Sequence, residues 1–113
     1  MFNHMIEDPI VLNRVYRALG DSTRRRLLAT LRRGEARITD LAAPLPISFA
    51  AVARHVAVLE EAGLVARDVR GREHWLTVRT DSLADAERWI GEQTSFWSAR
   101  ADALADQLRR SES

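Results

Sequence analysis

The chain has 113 residues, 46% of them apolar and 29% charged, with a formal net charge of +1. That mixture and length fit a single globular domain and exclude a disordered or fibrous chain. There is no cysteine, which excludes disulfides, thiolate metal sites, iron–sulfur clusters and thiol redox sensing.

Residues 1–8 read as a tail. Pro9 suits the first turn of a helix, and the following IVLNRVYRAL puts Leu12, Val15, Tyr16 and Leu19 on one stripe before Gly20. Asp21 is a good N-cap for a second helix, STRRRLLATLRR, with Leu27, Leu28 and Leu31 inward and Gly34 as its stop. EARIT is short and extended. Thr39 then caps a brief helix, DLAAPL, broken by Pro44 and Pro46. Ser48 caps a stronger helix over 48–62, whose buried stripe is Val52, Val56 and Leu59 and whose end is Gly63. LVARDVRGREHWLTV, about 64–78, reads as two alternating strands hinged at Arg70-Gly71. A long helix over about 82–110 closes the chain.

The order is helix, helix, short helix, helix, hairpin, helix, with no repeat or linker. The expected fold is therefore mainly α with a small β-hairpin. A helix-turn-helix at about 39–62, followed by a basic hairpin, makes the core over 9–80 a winged helix-turn-helix, in which the second helix enters the major groove.

The charge is unevenly spread. Residues 9–80 hold thirteen arginines against seven acids, and residues 81–113 four against seven. A basic body with an acidic tail points to a polyanionic partner for the body, double-stranded DNA in this fold. All basic residues are Arg and none is Lys, which reads as GC-rich coding. On the 48–62 helix the outward face carries Ala50, Ala51, Arg54, Ala57, Val58 and Glu61. Small residues let that face approach the groove floor, and Arg54 is its one long donor, able to reach a guanine edge or a phosphate. Ser48 and Phe49 open this helix, with Ser48 able to cap it and touch a phosphate. His55, near the edge of the buried stripe, is open to a structural role or a backbone contact. Arg67, Arg70, Gly71 and Arg72 form the wing, as candidates for phosphate or minor-groove contact. Of Arg24, Arg25 and Arg26, which point in different directions, one is expected on a phosphate and the others on acids or solvent.

VYRALGDSTRRRLLATL, then ITDLA, then VARHVAVLEEAGLVARDVRGREHWLTV resembles the ArsR family of winged-helix transcriptional repressors over roughly residues 12–80. The chain looks most like small members with a tryptophan-bearing last helix. The resemblance implies a bacterial homodimeric repressor, cytoplasmic and nucleoid-associated, that blocks a promoter until a signal releases it. An unidentified small-molecule effector stays open. Ala53 and Ala57 stand where the family often has Ser and Lys.

In the last helix Leu83, Ala86, Ile90, Gln93, Trp97, Ala101, Leu104 and Leu108 form a stripe flanked by Trp89 and Phe96. This face is wider and longer than one small domain needs, so dimerisation is the expected use. The expected interface joins the first and last helices through Leu12, Tyr16, Trp89, Ile90, Phe96, Trp97, Leu104 and Leu108. An aromatic ligand pocket between protomers, lined by Trp89, Phe96 and Trp97, is the alternative.

No metal or other cofactor is expected. The cysteines of one family metal site are missing, the last helix has no His for the other, and His4, His55 and His74 show no HxxxH or HxH spacing. A site from His4, Glu7 and Asp8 across a dimer is left open. No phosphate-binding Gly loop, nucleophile elbow or acid/base pair points to an enzyme. No membrane partner is expected either, since no apolar run is long enough to cross a bilayer and MFNHMIEDPI lacks a signal-peptide plan. Two other classes remain. One is a winged-helix module that binds protein and not DNA. The other is the dimerisation domain of an enzyme, for which the length leaves no catalytic domain.

Overall fold

Three of the helices start at a side-chain cap. In the computed structural model, which describes residues 8–112, Asp8 accepts from the Ile10 N–H at 2.9 Å and Pro9 opens α1 (Pro9–Leu19). Asp21 accepts from the Arg24 N–H at 3.1 Å to start α2 (Ser22–Thr30). A single 3₁₀ turn, Leu31–Arg33, follows. Ser48 Oγ accepts from the Ala51 N–H at 3.1 Å to start α4 (Phe49–Glu61). These oxygens satisfy N–H groups that the first helical turn leaves unpaired.

Between them the chain departs from the expected pattern in two places. Ala36–Arg37 is a strand, β1, paired antiparallel with the hairpin, Arg37 opposite Trp75. The chain passes directly from β1 into α3 (Ile38–Ala42), so Thr39 lies inside that helix and does not cap it. Burial of Ile38 and Leu41 fixes this start. Strands β2 (Val65–Arg70) and β3 (Glu73–Val78) form the hairpin, and the sheet order is β1-β3-β2. The two loop residues are Gly71 and Arg72, one position later than expected. Gly71 takes φ +64°, a conformation that costs glycine little.

Gly63 ends α4 with φ +74°. Its N–H donates to the Glu60 carbonyl, and the Leu64 N–H reaches back to Leu59, both at 2.9 Å. This Schellman arrangement brings two core leucines together as it turns the chain into β2. The core gathers Val15, Leu27, Leu31, Val52, Val56, Leu59, Leu64 and Leu76 from helices and sheet alike. Helix α5 (Asp81–Glu112) packs its first turns on α1, burying Ala86. Its outer half then projects away from the body. No described helix is long and apolar enough to cross a membrane.

Candidate nucleic-acid interface

Helix α4 is sharply two-sided. Val52, Val56 and Leu59 are buried against the core, whereas Ala50, Arg54, Ala57 and Glu61, at spacings of four, three and four, are exposed. Ser48 and Phe49 are also exposed at its start, and Ala51 is half-buried. Of the outward face read from the sequence, Ala50, Arg54, Ala57 and Glu61 are free, whereas Val58 is half-buried against the core. Arg54 makes no hydrogen bond or ion pair among the described residues. Its guanidinium stands as an uncompensated cation on a face of small side chains.

His55 does not share that freedom. Its Nδ1 accepts from Arg24 Nη1 at 3.2 Å and lies 3.7 Å from Asp21 Oδ2. The imidazole ties α4 to the start of α2, which makes its role structural. The Arg24 backbone N–H, above all, holds the Asp21 carboxyl below its ordinary range.

The basic triplet in α2 is used differently from expectation. Arg24 donates to the carbonyls of Ala18 and Arg17, at 2.8 and 2.9 Å, and Arg25 to that of Leu19, at 2.6 Å. Both thus cap the C-terminal end of α1, where unpaired carbonyls and the negative end of the helix dipole favour cations. Arg26 alone of the three has no partner among the described residues. It lines a cleft with Thr23, Leu45, Pro46 and Ile47, just ahead of α4.

The wing is less cationic than its sequence. Arg67 holds Glu60 through two bonds, of 2.7 and 3.2 Å, and donates to His74 Nδ1 at 2.9 Å. That bidentate, half-buried pair pins β2 to α4 and withdraws Arg67 from the expected phosphate contact. Arg70 donates to both Glu35 oxygens, at 2.8 and 3.1 Å, and to Asp68 at 2.8 Å, with its guanidinium 5.0 Å from the Trp75 ring. Glu35, then Asp68, raise its pKa above the ordinary arginine value. Arg37 approaches the same ring, its guanidinium 5.8 Å from the centroid, and is bonded to Glu73 at 2.7 Å and Asp40 at 3.0 Å. Glu73 is held below its usual range chiefly by Arg37. Of the wing arginines only Arg72, beside Gly71 at the exposed tip, has no partner among the described residues.

This Arg37–Trp75–Arg70 layer was not anticipated. The one sequence signal for it was the alternation of Glu73, Trp75 and Thr77 along β3.

The dimer candidates divide in two. Leu12 is only 7% exposed and belongs to the protomer's own core, because the α1 stripe with Val15 faces inward. Ile10 is instead the exposed large apolar side chain of α1. Tyr16 is partly spent internally, its hydroxyl donating to the Ala86 carbonyl at 3.3 Å and its ring 6.0 Å from Trp89. Trp89, Ile90, Phe96, Trp97, Leu104 and Leu108 all stand exposed along α5. No group of three or more His, Asp or Glu suited to a metal ion occurs among the described residues. His4 and Glu7 lie outside them.

Residues 21–67 match the profile of bacterial regulatory proteins of the arsR family. An ArsR-like transcriptional regulator from Rhodococcus sp. RHA1 superposes with a TM-score of 0.71 and 32% identity, over 84% of this chain and 90% of that one. The chain belongs to the ArsR family. This ArsR-family protein is a DNA-binding transcriptional regulator, not an enzyme. It is also 28% identical over 79 residues to the transcriptional repressor SdpR of Bacillus subtilis (strain 168), covering 70% of this chain and 88% of the relative. The homodimeric winged helix-turn-helix DNA-binding domain Mb0332 from Mycobacterium bovis shares the fold, with a TM-score of 0.59 and 19% identity over 88% of this chain and 84% of that one. The matched residues 21–67 run from the cap of α2 to the first half of β2 and so contain α3 and α4.

Proposed function

We propose that this regulator is a cytoplasmic homodimeric repressor that occupies a palindromic operator and excludes the transcription machinery from it. The observation that carries this reading is the free face of α4, small side chains around an uncompensated Arg54, opposite a fully buried stripe. In this reading Ser48, Phe49, Ala50, Ala51 and Arg54 enter the major groove, with Arg54 reading a base edge. Arg72 and Gly71 at the wing tip and Arg26 ahead of α4 grip the phosphate backbone. The exposed apolar face of α5, with Ile10 and Tyr16 of α1 beside it, joins two protomers. Repression is supported by the SdpR relationship, and a dimer by the Mycobacterium bovis neighbour.

Arg54→Ala is expected to cost about 1–3 kcal/mol at the operator and to relax preference at one position per half-site. Arg72→Ala is expected to weaken operator and random duplex alike and flatten the salt dependence by about one unit per protomer. Binding isotherms on operator and scrambled duplexes at several salt concentrations read both effects. Equal loss on the two duplexes for Arg54→Ala would make it a phosphate contact and move base reading elsewhere on α4.

A further inference from the structure

The exposed arc of α4 is bounded by two unlike side chains. At 100° per residue Phe49 and Arg54 stand about 140° apart around the helix, with Ala50, Ala53 and Ala57 between them. Phe49 is 51% exposed, and its ring has no aromatic partner among the described residues. The acids on the same arc, Glu60 and Glu61, belong to the last turn, and Glu60 is held there by Arg67. Ser48 Oγ is engaged with the Ala51 N–H. At the N-terminal end, which a recognition helix turns toward the bases, the arc therefore offers one phenyl ring, three methyl groups and one guanidinium.

A hydrocarbon side chain neither donates nor accepts, so it cannot tell one hydrogen-bonding edge from another. The apolar feature of the major groove is the C5 methyl of thymine, which a phenyl ring can cover and remove from water. The same ring set over a cytosine amino group or a guanine oxygen would strip water from a polar atom and return no bond. Contact with Phe49 thus favours thymine by a gain and disfavours the alternatives by a penalty.

We propose that Phe49 reads the C5 methyl of a thymine in each half-site, beside the base edge taken by Arg54. The proposal rests on the operator-binding reading above and names the chemical group that the first turn of α4 recognises. Five residues of helix rise about 7.5 Å, roughly two base-pair steps, so this thymine lies within about three base pairs of the position read by Arg54.

The test uses a duplex enriched by the whole protein from a random pool, with deoxyuridine replacing each thymidine in turn. Uracil keeps the pairing and the O4 acceptor and lacks only the methyl. At one thymine per half-site the replacement is expected to weaken binding about fourfold, the worth of one buried methyl. Phe49→Ala is expected to bind the thymine and uracil duplexes equally at that position, while the preference at the Arg54 position persists. Phe49→Leu, which keeps an apolar side chain there, is expected to retain part of the discrimination and covers the case where the alanine variant fails to fold. A structural role for Phe49 would weaken both duplexes alike and leave their ratio unchanged, which would overturn the proposal. No position sensitive to uracil in the unmodified protein would also overturn it, leaving sequence-specific binding intact. A pool from which no duplex is enriched would overturn both.

Discussion

Glu35 and Asp68 hold Arg70 from two sides, so a phosphate approaching the wing competes with two charges already in place. All three side chains are 41% exposed or more, and ion pairs at such exposure hold weakly and yield to salt. The wing thus keeps a cation in reserve behind the uncompensated Arg72. Replacing Glu35 by Gln and Asp68 by Asn removes the competition without changing side-chain size. The double variant is expected to bind any duplex more tightly and to steepen the salt dependence by about one unit per protomer. An unchanged affinity and slope, read from the same isotherms, would mean that Arg70 stays on Trp75 in the complex. Arg67 gives a contrasting case. Its half-buried pair with Glu60 joins two elements, so its loss is felt in folding before it is felt in binding.

At the scale of elements, Gly63 controls where α4 stops and how closely α5 can pass. A Cβ added there would sit 2.9 Å from Ser82 Oγ, on a backbone with φ +74°. Gly63→Ala is therefore expected to destabilise the chain by about 1–2 kcal/mol. Gly91→Ala, in the interior of α5 with no atom within 4 Å of the new methyl, is expected to stabilise it by up to about 1 kcal/mol. Urea unfolding of the two variants should give midpoints shifted in opposite directions.

Gly63 was also one of the signals that made the fold readable from the sequence. Pro9, Asp21 and Ser48 were others, since each does its work within a few residues of itself. What the sequence hid was longer in range. The extended run at Ala36–Arg37 was legible, but not its pairing with β3. Arg70 and Glu35 are 35 residues apart, so their pairing exists only once β1 lies beside β3. The partners of Arg24 and Arg25 were hidden too, because the carbonyls they cap belong to α1. On α4 the spacing of Val52, Val56 and Leu59 was enough to assign the buried face, but not to show that Val58 also leans on the core. The reading of Leu12 failed because an apolar stripe says that a face is covered and not by which chain.

The whole chain is far from spherical. Its extents are 72 × 38 × 22 Å and its radius of gyration is 19.4 Å, against about 13 Å for a compact domain of this length. The difference is the outer half of α5, roughly 24 Å of helix with no cover from its own protomer. Most helical stability in proteins comes from packing an amphipathic face, so the arm's order depends on what it meets. Far-UV circular dichroism should lose helical signal on dilution through the dissociation range, as the sedimentation mass falls from twice 12.8 kDa toward the single chain. Constant helicity across that range would show that the arm holds itself.

In the homodimer proposed above, an arm completed by another copy gives the regulator a dependence on its own abundance. While single chains predominate, the paired form grows with the square of their concentration. Halving synthesis then removes about three quarters of the species able to span both half-sites. In that dimer the projecting helix would act as a threshold, filtering small fluctuations in expression.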